Sequence, residues 1–102
     1  MYYLLNGTDV VPAENIFAWN SWRAKENRIL ARTAINSLDE YVSTVFLGID
    51  HNYNNGDHPI LFETMVFGGL LDGDMQRYST WADAMRGHNE MVEKVLDAVE
   101  AG

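Results

Sequence analysis

Tyr41-Val42-Ser43-Thr44-Val45-Phe46-Leu47-Gly48-Ile49 is dense in β-branched and aromatic residues. Ile60-Leu61-Phe62-Glu63-Thr64-Met65-Val66-Phe67 repeats that chemistry after a polar interval. Such side chains pack well on a pleated surface, so both segments are predicted strands. Asp50 to Pro59 between them is rich in Asn, Asp, Gly and His, and reads as a loop. Gly68-Gly69 and Asp72-Gly73-Asp74 mark the next turn, with a short strand over Met75 to Tyr78. Three strands in close succession predict an antiparallel meander. Upstream, Arg28 to Ile35 alternates loosely through Ile29, Thr33 and Ile35 and adds a fourth, ahead of the polar turn Asn36 to Glu40.

The two ends of the chain supply the remaining elements. Tyr2-Tyr3-Leu4-Leu5 and Thr8-Asp9-Val10-Val11 flank Asn6-Gly7, a pair that accepts the positive φ angles of a type I′ hairpin turn. Pro12 suits the first turn of a following helix, Ala13 to about Asn27, with Ile16, Trp19 and Trp22 on one stripe. Paired tryptophans at that spacing are core or interface anchors before they are a ligand cage. At the C-terminus Thr80 caps a helix of about 20 residues, with Asp83 as its capping-box partner and Ser79 as the alternative cap. Trp81, Met85, His88, Val92, Val95 and Val99 form its apolar stripe. The order β-β-α-β-β-β-β-α predicts a single α+β domain over residues 1–102, an antiparallel sheet (hairpin plus meander) with two helices packed on it.

A chain of 102 residues has room for one core, and 47% hydrophobic residues with three Trp exclude a disordered tail. No apolar run is long enough to span a membrane, and Met1-Tyr2-Tyr3 lacks the basic start of a signal peptide. The absence of cysteine excludes disulfides and thiolate metal sites and fits a cytoplasmic protein. Fifteen acidic against seven basic residues give a net charge of −8, which weighs against direct binding to nucleic acid or to an anionic membrane. The acidity is local. No Lys or Arg occurs from Thr33 to Gln76, whereas Arg23, Lys25, Arg28 and Arg32 cluster just before it. That pattern is a solvated face, a surface that meets a basic partner or holds a divalent cation, or a face onto which the Arg23–Arg32 cluster of a neighbouring copy docks.

Three places could carry chemistry. In the loop, Asp50, His51, Asp57 and His58 form two Asp-His pairs, a candidate metal set because imidazole and carboxylate both ligate. Asp50, Asn52 and Asn54 also imitate the start of a calcium loop, but Asn55 stands where Gly is needed and Leu61 where a bidentate Glu is needed. Glu63 alternates with Leu61, Met65 and Phe67, so its carboxylate must face solvent, pair with Arg77, or serve as a base in a desolvated site. His88 interrupts the apolar stripe of the last helix directly after Gly87. It is either a packed residue satisfied by a backbone carbonyl or the partner of Glu63 in a cleft. There is no phosphate loop, nucleophile elbow or catalytic cysteine, and no cofactor is implied.

Val42-Ser43-Thr44-Val45-Phe46-Leu47-Gly48-Ile49-Asp50-His51-Asn52, Leu61-Phe62-Glu63-Thr64-Met65-Val66-Phe67-Gly68-Gly69, Arg77-Tyr78-Ser79-Thr80-Trp81 and Gly87-His88 together resemble a family of small proteins encoded in phages and prophages. The likeness runs from Tyr41 to Val92 and extends to the upstream helix and Ala31-Arg32-Thr33. It implies a setting in a host cytoplasm and draws attention to Asp50, His51, Glu63, Arg77, Tyr78 and His88, as folding or ligand-binding residues. The leading expectation is a non-enzymatic binding protein, a homo-oligomer that occupies a host protein or sequesters a small nucleotide-like ligand. The alternatives are an acid–base or metal-assisted hydrolase using Glu63 and His88 with Asp50 and His51, and an acidic mimic of nucleic acid that blocks a basic host surface.

Overall fold

A computed structural model describes residues 2–25, 28–37, 39–50 and 58–101. The elements follow the predicted order: β1 (Tyr3–Asn6), β2 (Asp9–Pro12), α1 (Ile16–Lys25), β3 (Ile29–Ser37), β4 (Glu40–Phe46), β5 (Phe62–Phe67), β6 (Met75–Tyr78) and α2 (Trp81–Ala101). The fold is α+β. Strands β3-β4-β5-β6 form an antiparallel meander in chain order, while β1 and β2 make a separate two-stranded sheet. That hairpin touches the meander strand line through a Tyr2–Ile49 bridge and the bond from Tyr3 N–H to the Gly48 carbonyl, 2.8 Å long.

Alternation along the strands decides which side is buried. Val42, Thr44 and Phe46 on β4, and Phe62, Thr64 and Val66 on β5, are buried and face α2. Val42 and Val66 pack with Met91 and Val95 of α2, whereas Phe46, Leu61 and Phe62 meet Ala84, Trp81 and the N-terminal hairpin. α2 thus covers one face of the meander along its whole 21-residue length. Thr80 caps it as expected, its Oγ1 accepting the Asp83 N–H at 3.1 Å. The shortest dimension of the molecule, 19 Å, leaves room for two layers and no more.

The N-terminal region departs from the sequence expectation in three ways. Asn6 pairs with Asp9, so Gly7 and Thr8 form the turn instead of Asn6 and Gly7, with Gly7 at φ +64°. Pro12 ends strand β2 opposite Tyr3 and does not enter the helix. α1 instead starts at Ile16 under an Asn15 cap, whose Oδ1 accepts the Ala18 N–H at 2.9 Å. The predicted stripe splits: Trp19 is buried and Trp22 meets Phe46 edge-on, but Ile16 is largely exposed. The Trp19 indole lies against Gly48, whose φ of +76° and missing Cβ allow the approach.

Candidate functional site

His88 lies on the second turn of α2, where the 3.6-residue period aims it at the middle of the sheet, and it is 2% exposed. Its ring bridges two strands. Nε2 is 2.8 Å from Thr33 Oγ1 on β3, and Nδ1 is 2.7 Å from Thr44 Oγ1 on β4. Thr44 Oγ1 in turn meets Thr64 Oγ1 on β5 at 2.6 Å. A neutral imidazole has one donor and one acceptor nitrogen, and hydroxyls rotate to match either tautomer, so the chain of bonds suits an uncharged ring. Burial holds the His88 pKa below its ordinary value for the same reason. The expected backbone carbonyl is replaced by threonine hydroxyls. That partner set was legible in part: Val42-Thr44-Phe46 and Phe62-Thr64-Val66 each put one polar residue at the centre of an inward-facing triplet.

Gly87 answers to a different neighbour. A Cβ there would overlap the ring and hydroxyl of Tyr78, which reaches from β6 under the helix. Burial, then the nearby Glu90 and Asp83 carboxylates, push the Tyr78 pKa up and keep the phenol protonated.

The sheet separates the residues that a catalytic cleft would have joined. Glu63 falls between the inward Phe62 and Thr64, so its carboxylate lies on the face opposite α2 and His88. There it accepts the Arg77 Nε–H at 3.1 Å, its directly opposite neighbour on β6. The pairing with Arg77 expected from sequence is present, and the juxtaposition of Glu63 with His88 is not. Tyr78 shares the inner face with His88, and Arg77 shares the outer face with Glu63. Asp50 sits beyond the end of β4, where its Oδ1 accepts the Ile60 N–H at 2.9 Å, and His58 is exposed. His51 and Asp57 lie outside the described residues, and among the described residues no three His, Asp or Glu side chains gather as a metal site. The acidic stretch is likewise divided. Asp39, Glu40, Asp72 and Asp74 belong to the turn end of the sheet, Asp50 to the other end, and Glu63 to the outer face.

What the sequence reading missed is the outer face itself. It carries Arg32 and Ala34 of β3, Tyr41, Ser43 and Val45 of β4, Glu63, Met65 and Phe67 of β5, and Met75 and Arg77 of β6. Among the described residues no element packs on it. The Arg32 guanidinium lies 3.9 Å over the Tyr41 ring, and Tyr41 stacks on Phe67 with centroids 4.9 Å apart. Phe67 and Met75 remain more than a third exposed. Alternation in Tyr41–Phe46 and in Phe62–Phe67 contained this signal, because Tyr41, Val45, Met65 and Phe67 are apolar at positions expected to be polar in a one-sided sheet.

No family model, curated protein or solved structure matches the chain.

Proposed function

We propose that the chain is a small, non-enzymatic binding protein of phage origin that works as a homodimer, with two copies meeting through their helix-free sheet faces. The observation that carries this reading is the charge of that face. In a molecule of net charge −8, Glu63 is the one carboxylate on it among the described residues, and Arg77 neutralises it. The outer surface of α2 bears Asp83, Glu93, Asp97 and Glu100 instead. Two copies repel wherever carboxylates confront one another, so the surface without them is where a second copy can approach. Tyr41, Val45, Met65, Phe67 and Met75 supply apolar area there, and the Arg32–Tyr41–Phe67 stack lies across it. The paired sheets would lie about 10 Å apart, in a four-layer α-β-β-α sandwich.

Binding is favoured over catalysis because the buried His88 already spends both ring nitrogens on threonines, and Glu63 is on the other side of the sheet. The dimer acts on a host protein in the host cytoplasm, the setting that the phage-like motifs imply. Sedimentation velocity tests the assembly. Wild-type protein at tens of micromolar is expected to move as two copies, and Met65→Glu as one copy with unchanged far-ultraviolet dichroism. A monomeric wild type, or a dimeric Met65→Glu variant, would remove the reading.

A further inference from the structure

The open edge of β6 adjoins a groove, and we infer that this edge binds an extended, lysine- or arginine-bearing segment of a partner protein as an added strand. The inference deepens the binding reading, but it does not depend on the dimer. β6 ends the sheet, so one side of its backbone has no neighbouring strand among the described residues. The Asp74 and Tyr78 carbonyls accept bonds from Val66 and Leu61, which turns alternate residues, Met75 and Arg77, to the open side. Their N–H and C=O groups are a template for an incoming backbone.

Beside that edge is a cavity of about 200 Å³ between β6 and α2, lined by Gln76, Gly87, Glu90, Met91 and Lys94. Its volume suits a side chain or two and is small for a cofactor. Gly87 and Met91 give an apolar floor one helical turn long. Of the two charged walls, Lys94 is engaged with Asp74 at 2.9 Å. Glu90 is the carboxylate wall; its field reaches the Arg86 guanidinium one turn earlier and Tyr78, whose pKa it helps to raise after burial. An aliphatic stem over Met91 with a cation at Glu90 fits this chemistry, which describes Lys or Arg. A strand lying on β6 would turn every second side chain towards the groove. The overall charge of −8 attracts such a segment before it docks.

The test uses fluorescein-labelled peptides on the whole chain: four Thr-Lys repeats, four Gly-Lys repeats of equal charge but poor strand propensity, and four Thr-Glu repeats. The Thr-Lys peptide is expected to bind, with amide shifts concentrated at Met75–Tyr78 and Glu90–Lys94 and at least tenfold preference over both others. Glu90→Arg is expected to weaken binding at least tenfold. Met75→Pro, which removes an edge N–H without touching the ladder to β5, is expected to do the same. Glu93→Arg, the same charge change on the exposed side of α2, is expected to leave affinity within twofold. Equal binding of Thr-Lys and Gly-Lys, equal losses in Glu90→Arg and Glu93→Arg, or no binding at millimolar peptide would each overturn the inference. Repeating the titration on Met65→Glu separates the two readings: retained binding by a monomer keeps the groove whatever becomes of the dimer, and a dimer that ignores the peptide discards the groove alone.

Discussion

At the scale of single residues, the interior is organised by one imidazole and three hydroxyls. Thr44 is the junction, because its oxygen touches both His88 Nδ1 and Thr64. Thr44→Val keeps the shape but leaves a buried ring nitrogen without its partner, which is expected to lower stability by about 1–3 kcal/mol in urea unfolding. Acid should act on the same ring. The unfolded chain takes up a proton near the ordinary histidine pKa of 6.5, while the folded chain resists it because burial lowers the His88 pKa. Between those two values the unfolded state binds more protons, so stability is whole above pH 6.5 and falls as pH drops through that window. Unfolding midpoints measured from pH 7.5 down to 5 are expected to decline in the wild type and to flatten in His88→Gln. An equal slope in both would assign the decline to other groups. Part of this centre is legible in the sequence: the apolar stripe of α2 turns His88 inward, and Thr44 and Thr64 each sit at the centre of an inward-facing triplet. The bonds themselves are not legible there, since only the pairing register of three strands brings Thr33 and Thr44 to the ring and Thr64 to Thr44.

At the scale of elements, the long helix and the central strands obeyed their local patterns, and the N-terminal segment did not. α2 has a strong period, a threonine cap and a continuous apolar stripe, so its existence and its bounds were legible. The short stripe of α1 does not hold together, with Trp19 buried and Ile16 exposed, and Pro12 is compatible with either a helix start or a strand end. The hairpin settled that choice, because pairing Tyr3 with Pro12 uses the proline where it needs no N–H bond. Gly87 shows how two elements share one constraint. It breaks helix propensity by about 1 kcal/mol relative to Ala, and the space it leaves is filled by Tyr78 of β6. Gly87→Ala is therefore expected to destabilise the protein by about 1–3 kcal/mol despite the gain in propensity. Adding Tyr78→Ala should cost less in that background than in the wild type, a coupling that a double-mutant cycle would measure. Additive losses would mean that the two residues do not compete for the same space.

At the scale of the whole molecule, the acidity apparent in composition becomes a distribution. Carboxylates occupy the exposed side of α2 and both ends of the sheet, while the outer sheet face holds aromatic, aliphatic and paired groups. The sequence could not disclose this, because the stretch without Lys or Arg from Thr33 to Gln76 folds across turns, both sheet faces and a loop. Methionine oxidation reads the uncovered face directly. Met65 and Met75 lie on that face, whereas Met85 lies on α2 on the opposite side of the sheet. Hydrogen peroxide should convert exposed thioethers to sulfoxides, and peptide mass spectrometry gives the rate at each site. As protein concentration rises from below one micromolar to several hundred micromolar, the rates at Met65 and Met75 are expected to fall at least fivefold while that at Met85 holds constant. Rates at Met65 and Met75 that do not change with concentration would contradict a dimer built on this face.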